Sequence, residues 1–339
     1  MKLKIETIRL DYINPFRISR NVTTSKENII VKLSDGNITG LGEASADSFY
    51  GETNATVVQA VKKGFNLIKN EDPFELDRIY DILNKNLGSC RVAITALDIA
   101  LHDLICKKLK MPVYKYYGLE PIKSKLTSFT IGIDTIPKII EKTLEAKKYP
   151  YLKVKLGCKN DMDIAKAVMD NFKGKICFDA NAGWTLNEAV KKISILAKYK
   201  PEFIEQPLPP VKVKDLKILK KHVRVPIIAD ESVVDRNDIL PASEFADGIN
   251  IKLAKCGGIR EAFKMCVIAK SLGLKIMFGC RTESSILVTA AAHLGSMADY
   301  LDLDTNVLIK NDPYKGDVFD NGRITIIPGV PGLGVSKIK

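Results

Sequence analysis

The stretch Tyr151-Leu152-Lys153-Val154-Lys155-Leu156-Gly157 reads as a β-strand, with Tyr151, Lys153 and Lys155 on one side and Leu152, Val154 and Leu156 on the other. An ordinary half-exposed strand turns such lysines to water, because lysine is seldom buried without a partner. The fold therefore turns on whether partners for Lys153 and Lys155 exist elsewhere in the chain.

Candidates stand at the ends of the strands that follow. From about residue 124, short apolar strands alternate with amphipathic helices. The strands are SFTIGI, LKVKL, KICFDAN, FIEQP, PIIAD, GINIKL, KIMFG and YLDLD, and helical stretches such as TIPKIIEKTLEAKK and IREAFKMCVIAKSLG lie between them. Eight such units fit a (β/α) barrel, in which the C-terminal strand ends meet at one mouth. An open doubly wound sheet is the alternative, but no strand is followed by the GxGxxG of a dinucleotide site.

Strand two ends in Lys153 and Lys155, strand three in Asp179, strand four in Glu205, strand five in Asp230-Glu231 and strand six in Lys252. The spacings are near-constant (179 − 155 = 24, 205 − 179 = 26, 230 − 205 = 25, 252 − 230 = 22). A single aspartate at a strand end commonly caps the next helix. Three carboxylates in successive units point instead to a shared site.

Like charges at close range raise one another's pKa, so three convergent carboxylates stay ionised only around a cation. All-oxygen donors from Asp and Glu favour Mg²⁺ over zinc. Lys155 and Lys252, on strands two and six of eight, would flank that metal. A lysine near a divalent cation and other ammonium groups has a lowered pKa and can serve as a base. Paired bases on opposite faces of a bound carbon fit removal of a proton on one side and its return on the other, with Lys153 helping to hold the negative charge. A Schiff-base aldolase barrel using Lys155 or Lys252 as nucleophile is a different class compatible with the same lysines.

Ahead of the barrel, residues 1–45 alternate like an antiparallel sheet, with a hairpin turn at Ser34-Asp35-Gly36-Asn37, and residues 54–110 read as helices. The expected organisation is an α+β capping domain over 1–120, the barrel over 121–315, and a C-terminal segment, 316–339, that folds back onto the capping domain. The chain is thus an α/β protein with a modified TIM barrel.

The 339-residue chain has an ordinary globular composition, 46% hydrophobic. It lacks the h-region of a signal peptide and any apolar run long enough to span a membrane. Seven scattered cysteines without a CxxC pair argue against structural zinc and for a reducing, cytoplasmic setting. The net charge of +12 is spread over helix-surface lysines such as Lys147-Lys148 and Lys220-Lys221, with no basic run or aromatic interleaving. A nucleic-acid partner is not expected.

These residues together resemble the enolase superfamily, and within it the muconate-lactonizing subgroup. The matching motifs are Lys153-Val154-Lys155, Asp179 in FDANAGW, Glu205 in IEQP, Asp230-Glu231 in ADES, Lys252 followed by KCGG, and RVAITALDIALHDL, with His102 where tryptophan is usual. The resemblance implies a (β/α)₇β barrel with a capping domain, one Mg²⁺ per subunit on Asp179, Glu205 and Asp230, and Lys155 and Lys252 as the acid/base pair. It also implies Thr130 beside the substrate, Asn181 and Glu231 as outer support for the metal ligands, and a homo-oligomer.

The subgroup includes cycloisomerases, o-succinylbenzoate synthases, N-acylamino acid racemases and dipeptide epimerases. YLDLDTN looks like the DxD of the dipeptide epimerases, in which Asp302 and Asp304 would hold the free α-ammonium of a dipeptide. The expected activity is inversion of the C-terminal residue's α-carbon through an enediolate, on L-Ala-D/L-Glu from murein peptides. An N-acylamino acid racemase or o-succinylbenzoate synthase is the alternative. PFRISRN offers Arg17 and Arg20 for a substrate carboxylate, Arg20 fitting the family loop better, and DSFYGET could close over the pocket with Phe49 or Tyr50.

Overall fold

The computed structural model describes residues 1–316 and 318–338; Asp317 and Lys339, both in the expected C-terminal segment, lie outside the described residues. The chain opens with an antiparallel meander of β1 (Lys2–Arg17), β2 (Val22–Asp35) and β3 (Ile38–Ala44). Asp35 pairs with Ile38 to close the β2–β3 hairpin, and Gly36, at φ +59°, takes the left-handed conformation that the two-residue turn needs.

Three helices follow: α1 (Asn54–Ile68), α2 (Leu76–Leu87) and α3 (Arg91–Lys108). Every residue of α3 from Val92 to Cys106 is buried, because it runs between the meander and the barrel. Its approach to β3 depends on two glycines. A Cβ on Gly40 would lie 2.0 Å from the Ala100 carbonyl oxygen, and one on Gly42 would lie 1.9 Å from that of Ala96. His102 is a packed core residue, its ring nitrogens 2.7 Å from the Asp98 carbonyl oxygen and 2.7 Å from the Tyr117 hydroxyl.

Eight parallel strands then form one sheet in chain order: β4 (Phe129–Ile131), β5 (Tyr151–Lys155), β6 (Lys175–Asp179), β7 (Ile204–Glu205), β8 (Ile227–Ala229), β9 (Gly248–Ile251), β10 (Lys275–Gly279) and β11 (Tyr300–Asp302). Ser128 N donates to the Leu301 carbonyl at 2.9 Å, which brings the last strand back beside the first. The connections carry helices α4 (Ile136–Glu145), α5 (Asp161–Asn171), α6 (Leu186–Leu196), α7 (Val213–His222), α8 (Ile259–Ser271) and α9 (Ser285–Ala292) on the outside. The expected barrel is present.

The meander and the barrel are tied through α3. The Asp98 carboxylate accepts the Ile259 and Arg260 backbone N–H groups at 2.6 and 3.3 Å, capping α8 from a distant part of the chain. Near the C-terminus, Leu333 N donates to Asp103 Oδ1 at 2.8 Å, and Arg323–Thr325 pairs with Lys125–Leu126.

Candidate active site

All five residues of β5 are buried. Leu152 and Val154 face the outer helices, and Tyr151 packs inside the barrel with Cys177, Phe203, Ile228 and Met277. The same inward face carries Lys153 and Lys155 above that apolar plug, with Lys153 wholly buried and Lys155 nearly so at the cavity wall.

Their partners are those read from the sequence. Strand register aligns Lys155 with Asp179 and Asp179 with Glu205. Lys155 Nζ donates to Asp179 Oδ2 at 2.6 Å. Lys153, 1% exposed, lies 2.6 Å from Glu205 Oε2, 2.7 Å from Asp302 Oδ2 and 3.2 Å from Asp179 Oδ2. Lys252 Nζ donates to Asp230 Oδ2 at 2.7 Å.

The buried carboxylates respond to these neighbours in different directions. Burial pushes Asp179 up, but Lys155 and Lys153 outweigh it and hold the carboxyl at about 2. Burial also opposes Asp230, which Lys252 and Lys255 hold well below the usual range. Glu205 is pushed up to about 8, by burial and then by the charge of Asp179, with Lys153 only partly offsetting these. Among the described residues no three acidic, histidine or cysteine side chains are gathered around one point, since each carboxylate is turned to a lysine.

The donor chemistry nonetheless fits a hard cation. Three wholly buried carboxylates share the rim, and Glu205 carries repulsion from Asp179 and Asp230 that a divalent ion would relieve. Lys252 departs from its expected lowering. Burial pushes its pKa down, but Asp230 and Glu205 more than reverse this and raise it, because the rim carboxylates are its counter-ions.

The last strand ends at Asp302, so Asp304 does not share a strand face with it. Asp304 has helical backbone angles and begins the turn into Thr305–Leu308, while Leu303 N is held by Thr127 Oγ1 at 2.8 Å. Both carboxylates still line the cavity. Asp302 accepts from Ser128 Oγ at 2.5 Å, and Asp304 accepts from Thr130 N at 2.7 Å. Burial, then the Asp302 charge, pushes Asp304 up to about 7.

The cavity between barrel mouth and meander has a volume of about 260 Å³. Arg20, Phe49, Tyr50, Thr130, Asn181 and Glu231 all reach its wall, whereas Arg17 is exposed and outside it. The Arg20 guanidinium lies 4.5 Å from the Phe49 ring centroid and donates to Glu231 Oε1 at 2.9 Å and to the Asn181 carbonyl at 3.0 Å. Asn181 N in turn donates to Asp179 Oδ1 at 2.8 Å. Burial, then Asp230, raises the pKa of Glu231.

Several functional neighbours escaped the sequence reading. Asn250 Nδ2 donates to Glu205 Oε1 at 2.8 Å, and Lys255 Nζ lies 2.7 Å from Asp230 Oδ1. Asn250 was findable, standing on β9 two residues before Lys252, which immediately follows that strand. Lys255, the first residue of the KCGG motif, follows the strand on the Leu253–Cys256 helical turn, and the motif by itself gave it no role. Lys26, Arg281 and the hydrogen-bonded Tyr12–Thr282 pair, 2.8 Å apart, come from stretches without a motif.

The chain matches two family models: the N-terminal domain of mandelate racemase / muconate lactonizing enzyme over residues 4–118, and the enolase C-terminal domain-like model over 137–337. It is 38% identical to the L-Ala-D/L-Glu epimerase of Bacteroides thetaiotaomicron, covering 100% of this chain and 88% of that protein. It is 32% identical to the L-Ala-D/L-amino acid epimerase of Flavobacterium johnsoniae, covering 100% of both. The dipeptide epimerase of Enterococcus faecalis, solved with Mg and L-Leu-L-Tyr, superposes with a TM-score of 0.94 at 31% identity, over 98% of each chain. The chain therefore belongs to the enolase superfamily, in the mandelate racemase / muconate lactonizing enzyme family that includes the dipeptide epimerases.

Proposed function

We propose that the protein is a Mg²⁺-dependent dipeptide epimerase that inverts the α-carbon of the C-terminal residue by a 1,1-proton transfer. The observation that carries this reading is the placement of Lys155 and Lys252. Lys155 ends the second strand of the eight-strand ring and Lys252 immediately follows the sixth, both line the cavity, and in strand order the groups Asp179, Glu205 and Asp230 fall between them. Two ammonium/amine groups facing one carbon can exchange its proton from either side.

Asp179, Glu205 and Asp230 would hold the metal, which when bound supplies the positive charge that makes an enediolate accessible. Lys155 takes the proton from one face of one epimer while Lys252, as ammonium, delivers a proton to the opposite face, and for the other epimer the two lysines exchange these roles. Lys153, fixed among Glu205, Asp302 and Asp179, places a charge beside the substrate carboxylate. Asp302 and Asp304 face the dipeptide's α-ammonium, with Thr130 orienting Asp304, and Asn181 and Glu231 hold the metal side of the rim. Arg20, paired with Glu231, joins the meander to that rim.

L-Ala-D/L-Glu is the proposed substrate, supported by the likeness to the B. thetaiotaomicron enzyme, with murein-peptide recycling as the cellular setting. Seven free cysteines support a cytoplasmic location, and among the described residues no helix is long and apolar enough to cross a membrane. The proposed state is a homo-oligomer. The test is deuterium uptake at the C-terminal α-carbon of L-Ala-L-Xaa dipeptides in D₂O. Uptake that needs Mg²⁺ and stops with EDTA supports the reading, and no uptake from any dipeptide overturns it.

A further inference from the structure

Five cationic side chains line the active-site cavity among the described residues, and four are matched. Lys155 pairs with Asp179, Lys252 with Asp230, and Arg20 with Glu231. Arg281 lies 3.4 Å from Glu52 Oε2 and 3.7 Å from Asp47 Oδ2, and donates to the Ser45 carbonyl at 3.0 Å. The fifth, Lys26 on β2, makes no hydrogen bond or salt bridge among the described residues.

The acids nearest Lys26 are occupied elsewhere. Asp47 and Glu52 are drawn to Arg281, Asp47 also accepts the Phe49 N–H at 3.0 Å, and Glu283 accepts the Arg281 N–H at 2.9 Å. Burial, then the Arg281 charge, pushes Lys26 down to about 8, with Asp47, Glu283 and Glu52 only partly opposing this. Lys26 is partly buried on the cavity wall, and an ammonium there without a counter-ion is open to pair with an anion that enters the cavity.

We infer that Lys26 binds a side-chain carboxylate of the substrate and is the residue by which this cavity selects acidic dipeptides. The inference rests on the dipeptide reading and moves this role away from Arg20, whose charge Glu231 already meets. The carboxylate belongs either to the reacting residue or to its amino-terminal neighbour, and the substrates of the test separate the two.

Wild type, Lys26→Met and Lys26→Arg are compared on L-Ala-L-Glu, L-Glu-L-Ala and L-Ala-L-Leu by α-hydrogen exchange with Mg²⁺. In Lys26→Met, kcat/KM for an acidic dipeptide should fall by roughly 10- to 100-fold relative to L-Ala-L-Leu, mainly through KM, as expected for a lost charged hydrogen bond. Lys26→Arg should recover most of it. A fall confined to L-Ala-L-Glu assigns the carboxylate to the reacting residue, and one confined to L-Glu-L-Ala assigns it to the neighbour. Equal losses on acidic and neutral dipeptides, a loss in kcat alone, or an unmoved ratio would overturn the assignment and leave the epimerase reading standing. A wild-type enzyme inert on every dipeptide would overturn both.

Discussion

Lys155 and Asp179 are register partners on adjacent parallel strands, and their side chains meet Nζ to Oδ2 at 2.6 Å inside the barrel mouth. The contact places a proposed proton acceptor against a proposed metal ligand, so the two functions can be separated by substitution.

Lys155→Ala should lower exchange at the α-carbon by roughly 10²- to 10⁴-fold, the usual contribution of a general base. Circular dichroism should stay native. Retained exchange in a folded variant would remove Lys155 from the chemistry.

Lys252→Ala should abolish net inversion and yet keep exchange for one epimer of the dipeptide, the one whose proton faces Lys155. NMR in D₂O on each epimer separately reads this directly. Exchange lost equally with both epimers would contradict a base on each side.

Asp304, pushed up to about 7 by burial and then by Asp302, gives a pH test. Below that value the carboxyl is largely neutral, and above it the ionised form attracts the substrate ammonium. KM for a dipeptide should therefore fall as pH rises from about 5.5 to 7.5, while the α-ammonium of the substrate stays mostly charged. An N-acetylated analogue should lack this dependence. The double variant Asp302→Asn, Asp304→Asn should weaken dipeptides far more than the acetylated analogue, and an equal loss on both would exclude ammonium recognition at this strand.

Gly42→Ala tests the contact between meander and α3. The new Cβ would sit 1.9 Å from the Ala96 carbonyl oxygen, so backbone must shift. A cost of about 3 kcal/mol, the upper end for overpacking, is expected, seen as a melting temperature lower by roughly 5 °C or more. Gly36→Ala, with open space around its Cβ, should cost only about 1 kcal/mol from its left-handed backbone.

The barrel and its charged rim were legible because period and chemistry coincide: the short strands recur at a near-constant spacing, and the second to the sixth each end in, or lead directly into, a charged group that needs a partner. The rest was hidden for identifiable reasons. Asp304 reads as strand by alternation, but it falls in the turn after β11, where the Thr127 hydroxyl captures Leu303 N. Arg20 was marked by its position in a loop, and its commitment to Glu231, 211 residues away, has no local trace. Lys26 is one of many lysines in a chain of net charge +12, and only the folded cavity distinguishes it.

Lys155 and Lys252, the proposed proton-transfer groups, come from the ring of parallel strands and the residue that follows its sixth strand, whereas Arg20, Lys26, Phe49 and Tyr50 reach the same cavity from the meander and the loop after it. On the proposed reading, proton transfer and recognition of a substrate side chain thus draw on separate stretches of the polypeptide that meet only in space, while ammonium recognition stays with the barrel at Asp302 and Asp304. Drift in the first fifty residues would then retune which side chain is accepted and leave the reaction intact, a route by which one scaffold diversifies through its amino-terminal part.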